Sequence, residues 1–130
     1  VLRLLLDIGG LMSDSEEQAM QAIGESASVS GILSVEKAQR MAEFFGVLGD
    51  PNRWRILSAL AARELPVGEL AEAVEMSESA VSHQLRVLRT MRLVSYRKRG
   101  RNVYYCLKDN HIFNLYREAS EHLDEPIDED

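Results

Sequence analysis

Four side chains near the C-terminus have types and spacing suited to holding a metal ion: Asp109, His111, His122 and Glu125. His122 and Glu125 stand at i and i+3, so a helix presents both on one face, where an imidazole and a carboxylate chelate together. Asp109 and His111 would diverge on a continuous helix. With Asp109 at the cap, outside helical geometry, both aim at one point. His111 and His122 are separated by about 16 Å along an ideal helix axis, too far for one ion to bridge. Each chain therefore offers two half-sites, and an antiparallel pair of such helices about a two-fold axis completes two equal sites of two imidazoles and two carboxylates. Four N/O ligands suit Zn²⁺ as an effector, with Co²⁺ or Cd²⁺ as substitutes in vitro, and the lack of thiolates argues against Cu⁺ and thiophilic metalloids. Taken singly, the same residues have plainer readings. Asp109 is a helix cap, a lone histidine is usually solvated or hydrogen-bonded, and Glu125 belongs to an acidic end with Asp124, Asp128, Glu129 and Asp130.

These residues need a helix, and the periodicity predicts one over 110–124, capped by Asp109, with Ile112, Leu115, Tyr116, Ala119 and Leu123 as its apolar stripe. Pro126 ends it. Four further helices are expected upstream. Ser34 caps the first, whose apolar positions Val35, Ala38, Met41, Ala42, Phe45 and Leu48 run up to Gly49. Asp50 followed by Pro51 opens the second, with Trp54, Leu57, Leu60 and Ala61 on one face. Pro66 restarts the chain for a short third helix through Val67, Leu70, Ala71 and Val74, and only Glu75 and Met76 separate it from Ser77, the cap of a fourth running to Met91. Two helices joined by so tight a turn form a helix-turn-helix. After Leu93 the rhythm becomes that of strands: residues 93–97 and 103–107 flank the basic, glycine-containing turn 98–102. The fold class is mainly α with a small β-hairpin, a winged helix-turn-helix.

The charge layout agrees with that reading. The chain of 130 residues carries a net charge of −6, but residues 1–50 hold −5, residues 51–108 hold +6 and residues 109–130 hold −7. Between Arg86 and Lys108 there are eight bases and no acid. A stretch of this kind faces a polyanion such as double-stranded DNA, or else is a solvated basic face. The major groove of B-DNA admits an α-helix, and a hairpin wing reaches the neighbouring backbone or minor groove. The candidate contacts are Ser77, Ser79, Ser82, His83, Gln84, Arg86 and Arg89 on the fourth helix and Arg97, Lys98, Arg99 and Arg101 on the wing. Gln84 is a candidate for two-point reading of adenine.

Ala42-Glu43-Phe44-Phe45 with Leu48-Gly49-Asp50-Pro51-Asn52-Arg53, then Ser77-Glu78-Ser79-Ala80-Val81-Ser82-His83-Gln84-Leu85, then Leu93-Val94-Ser95-Tyr96-Arg97, Gly100-Arg101 and Val103-Tyr104-Tyr105, together resemble the ArsR/SmtB family of metal-responsive repressors. The likeness covers residues 35–125. It implies a homodimeric winged helix that occupies an inverted-repeat operator and leaves it when metal binds. The pattern Asp109-x-His111 with His122-x-x-Glu125 is similar to the fifth-helix zinc site of the SmtB branch. The chain departs from that branch at Pro66, where the branch's other possible site takes a cysteine.

Composition bounds the remaining possibilities. Apolar residues make up 45%, enough for one core, and a domain of this size often gains from pairing with a copy of itself. The single cysteine, Cys106, cannot form an internal disulfide and reads as a packed strand residue in a reducing, cytoplasmic protein. No apolar run approaches the roughly 18 residues of a membrane span, so no membrane partner is expected. Residues 1–33 read as a flexible acidic arm, 34–125 as the DNA-binding and dimerisation domain, and 126–130 as an acidic tail. Met12 is a candidate start, which would make residues 1–11 an upstream extension. An enzyme is not expected: four protein ligands leave no open position for an activated water, and no glycine-rich phosphate loop or separate nucleophile is present. The alternative function is a winged-helix DNA-binding regulator without metal input.

Overall fold

A computed structural model describes residues 29–128. Most of the expected acidic arm, residues 1–28, and the last two residues of the tail lie outside the described residues. The chain divides into two units, Val1–Gln39 and Arg40–Asp130.

Each helix begins where a side chain satisfies its free N–H groups. The Ser34 hydroxyl accepts the Lys37 N–H at 3.1 Å and opens α1, Val35–Val47. Asp50 is extended at φ −133° and accepts from the N–H groups of Asn52 and Arg53, while Pro51 occupies the first turn of α2, Pro51–Ala62. Proline lacks an N–H that this position would leave unpaired in any case. The Ser77 hydroxyl accepts from Ala80 at 3.1 Å and opens α4, Glu78–Thr90. Asp109 accepts from His111 and Ile112 and opens α5, Asn110–Leu123.

Helix α3, Val67–Val74, ends without glycine. Glu75 takes φ 58°, so the Met76 N–H reaches the Ala71 carbonyl at 3.0 Å and the Glu75 N–H reaches Glu72 at 3.3 Å. The end of α4 repeats the arrangement: Arg92 has φ 61°, Leu93 N–H donates to Leu88 O at 2.9 Å, and Arg92 N–H donates to Arg89 O at 2.9 Å. Both are Schellman closures, and the second brings the fully buried Leu88 and Leu93 to the two ends of the loop it closes. These two left-handed residues turn the chain sharply, first between α3 and α4 and then from α4 into the hairpin.

The hairpin pairs β1, Val94–Arg99, with β2, Asn102–Leu107, in antiparallel register from Val94↔Leu107 to Arg99↔Asn102. The strands are longer than the sequence suggested. Lys98 and Arg99 belong to β1, and the turn shrinks to Gly100 and Arg101, with Gly100 at φ 62°. Leu65 adds an isolated bridge to Tyr105, exchanging backbone hydrogen bonds of 3.1 and 2.8 Å, and so ties the α2–α3 connection to the wing.

The core is wholly apolar among the described residues. Ile56, Leu57, Leu60, Leu70, Val74, Val81, Leu85 and Leu88 from α2, α3 and α4 meet Leu93 and Val94 at the base of the wing. Ile56 belongs to this core although the reading of α2 had emphasised Trp54 and Ala61. In α1 the inward positions are Phe44 and Val47 with the following Leu48, while Met41 and Phe45 remain exposed. In α5, Ile112 and Leu115 pack on the core, but Leu123, expected on the same stripe, is 82% exposed.

Candidate functional site

Burial of Val81, Leu85 and Leu88 at helical spacing orients α4 and leaves Ser79, Ser82, His83, Arg86 and Arg89 exposed. Ser77 is also exposed, but its oxygen is already engaged in capping Ala80, so toward a ligand it offers its hydroxyl hydrogen. Gln84 is half-buried, and its Oε1 accepts from Arg53 Nε at 2.8 Å. Arg89 lies over the Tyr96 ring with its guanidinium carbon 4.3 Å from the ring centre, which joins the end of α4 to β1.

Strand alternation divides the wing cations between two faces. Arg97 and Arg99 share one face. Arg97 donates to Glu64 Oε2 through Nε at 2.9 Å and Nη2 at 2.7 Å, and Arg99 Nη2 lies 3.5 Å from the same oxygen. Arg99 also lies over Tyr104, 5.3 Å from its ring centre. Lys98 projects from the opposite face, with Tyr96, and Arg101 stands in the turn, both exposed. The eleven residues singled out for nucleic-acid contact thus fall on α4 and the wing, with Arg97 and Gln84 held by other side chains. Those partners, Glu64 and Arg53, escaped the sequence reading because they lie 33 and 31 residues away along the chain.

The candidate metal ligands form two pairs at opposite ends of α5. Asp109 Oδ1 is 3.5 Å from His111 Nδ1, and His122 Nδ1 is 3.7 Å from Glu125 Oε2. Ligand atoms at about 2.0–2.2 Å from a tetrahedral ion lie about 3.3–3.6 Å from one another, so both pairs fit such an ion's bite with little adjustment. Both are open to solvent, with the histidine side chains 93% and 79% exposed. Among the described residues no three histidine, cysteine or acidic side chains gather at one point. The Asp109 carboxyl lies below its ordinary value. Desolvation, the largest single cause, pushes it up, but the Ile112 N–H together with the imidazole and N–H of His111 outweigh that.

A sequence profile describing bacterial regulatory proteins of the arsR family matches residues 50–96, from the cap of α2 into β1. The "Transcriptional repressor SmtB homolog" of Synechocystis sp. is 62% identical over 94 residues, covering 72% of this chain and 71% of that protein. The chain belongs to the arsR family. The solution structure of apo-NmtR superimposes on this ArsR-family chain with a TM-score of 0.62 at 42% identity, covering 78% of this chain and 88% of that one. A homodimeric winged helix-turn-helix DNA-binding domain from Mycobacterium bovis matches with a TM-score of 0.63 at 26% identity, covering 78% of this chain and all of its own. These ArsR-family relatives are transcriptional regulators rather than enzymes, and their fold is the winged helix-turn-helix expected from the sequence. No helix among the described residues is long and apolar enough to cross a membrane.

Proposed function

We propose that this ArsR-family chain is a metal-sensing transcriptional repressor: a homodimer that binds an inverted-repeat operator without metal and releases it when zinc binds between the fifth helices. The observation that carries this reading is the two histidine–carboxylate pairs at the ends of α5, each with an N–O separation close to a tetrahedral bite and neither joined by a third such ligand among the described residues. A two-fold antiparallel pairing of α5 sets the Asp109/His111 end of one protomer beside the His122/Glu125 end of its partner. Exposed Met41 and Phe45 on α1 and Phe113 and Leu123 on α5 supply apolar surface for such pairing.

Ser77, Ser79, Ser82, His83, Gln84, Arg86 and Arg89 face the major groove in this reading, and Arg97, Lys98, Arg99 and Arg101 serve the flanking backbone. When bound, the ion supplies an N/O-coordinated link between subunits. His111 and His122 then hold the two α5 helices in one arrangement, and the spacing of the paired α4 helices is no longer free to adapt to grooves about 34 Å apart. Coupling is reciprocal, so operator DNA weakens zinc binding by the factor by which zinc weakens DNA binding.

The test is a zinc titration of the dimer with and without DNA, joined to mobility-shift assays on His122→Ala. Two ions per dimer and a variant that stays on DNA at zinc levels that release the parent protein are expected. A variant that still lets go at those levels excludes α5 as the sensor. DNA binding indifferent to zinc and to chelator establishes a regulator without metal input.

A further inference from the structure

Gln84 is half-buried at the middle of α4, and its carboxamide is not free. Arg53 Nε donates to Gln84 Oε1 at 2.8 Å, and Arg53 Nη1 donates to the Val47 carbonyl at 2.8 Å, at the C-terminal end of α1. A guanidinium has no acceptor, so the Gln84 atom facing it must be the oxygen. One arginine therefore ties the end of α1 to α4 and decides which way round the carboxamide sits. Two-point reading of adenine requires the oxygen to accept from N6 while the amino group donates to N7, both aimed at the same base edge. Arg53 thereby occupies one of the two lone pairs of that oxygen and fixes the amide plane, which favours the amino group as the atom that meets a base.

We propose that Arg53 is a positioning residue for base recognition, holding Gln84 as a hydrogen-bond donor to base acceptors in the major groove. This assignment deepens the reading of α4 as the DNA-contacting helix and rests on it. A donor meets N7 of either purine, O6 of guanine or O4 of thymine, so Gln84 accepts those bases and disfavours cytosine, whose N4 is itself a donor, at its base pair. Arg53 acts at a distance from the DNA, through the orientation of one amide. The planar fork is essential to the task, because a lysine ammonium cannot hold both the Val47 carbonyl and the Gln84 oxygen in fixed geometry.

The experiment uses the full chain and a duplex that it selects from a randomised library, with each base pair of a half-site then varied through all four bases. Gln84→Ala identifies the position concerned as the one whose preferences flatten. There the parent protein is expected to bind adenine and guanine within about threefold of each other, whereas Arg53→Ala frees the oxygen and favours adenine by about tenfold, within the range of a two-point contact. Arg53→Lys is expected to follow Arg53→Ala. Gln84→Glu keeps an oxygen for Arg53 but removes the donor, so it turns the preference toward cytosine while unfolding at the parent's temperature or above, and it decides the matter should Arg53→Ala not fold. An unchanged base profile in a folded Arg53→Ala, or a parent-like bias against cytosine in Gln84→Glu, overturns the assignment while leaving α4 as the reader. A parent protein indifferent to every base pair overturns the reading of α4 itself.

Discussion

Glu64 receives both Nε and Nη2 of Arg97 on a single carboxylate oxygen, at 2.9 and 2.7 Å, with Arg99 3.5 Å away. An acid within the α2–α3 connection thus holds two of the four wing cations on one face of the hairpin, the groups proposed to meet DNA phosphate. Glu64→Gln is expected to release them. Each additional phosphate contact steepens the fall of log affinity with log salt by about 0.9, so anisotropy titrations across a salt series should show tighter binding at low salt and a larger slope. The arginine side chains are more than half exposed, so the loss in stability should stay below about 1 kcal/mol in urea denaturation.

Cys106 lies beside the same acid. Burial pushes its thiol up, and the Glu64 charge adds to that against the opposing charges of Arg97 and Lys108. The thiolate is the reactive form. Alkylation by iodoacetamide at mildly alkaline pH should therefore be slower in the native chain than in urea, and Glu64→Gln should narrow the difference. Equal native and unfolded rates would contradict this placement.

Asp109 has a capping task and a proposed ligand task, and substitution separates them. Asparagine caps a helix about as well as aspartate, whereas alanine leaves the N–H groups of His111 and Ile112 without that acceptor. Asp109→Asn should keep the parent's urea midpoint yet lose zinc affinity in calorimetry, and Asp109→Ala should lose both. Because the folded carboxyl lies below its unfolded value, its stabilising contribution is complete above the unfolded value and disappears as pH falls through the folded one. Over an acid titration the parent's midpoint, equal to that of Asp109→Asn near neutral pH, should fall below it as that contribution is lost.

Glu75 and Arg92 adopt left-handed backbone conformations at φ 58° and 61°, which glycine accepts without the clash of a β-carbon. Glu75→Gly should raise stability by up to about 1 kcal/mol, seen as a higher urea midpoint at an unchanged slope. A drop would mean that the freedom gained by the unfolded chain outweighs the strain relieved.

The core contrasts with these exposed positions. Leu88 is fully buried and closes against Leu93, so Leu88→Ala should cost about 2–5 kcal/mol in the same assay.

The sequence by itself determined the elements and their order, because their signals are local: Ser34, Asp50, Ser77 and Asp109 each accept N–H bonds two or three residues ahead, and the spacing of Val81, Leu85 and Leu88 selects the inward face of α4. The closeness of Asp109 to His111 and of His122 to Glu125 likewise depends only on helical rise and cap geometry, so both pairs are legible in the sequence. The turn at Gly100 could be placed, but not its length, since residues 98 and 99 gain their strand character from pairing with residues 102 and 103. Only the tertiary structure decided that Leu123 stays exposed in the chain, that Arg97 is held by Glu64, and that Arg53 turns the Gln84 amide. Such contacts join residues more than thirty positions apart, and no periodicity encodes them; they arise when packing of α2, α3 and α4 on one apolar core brings their polar edges within hydrogen-bond reach.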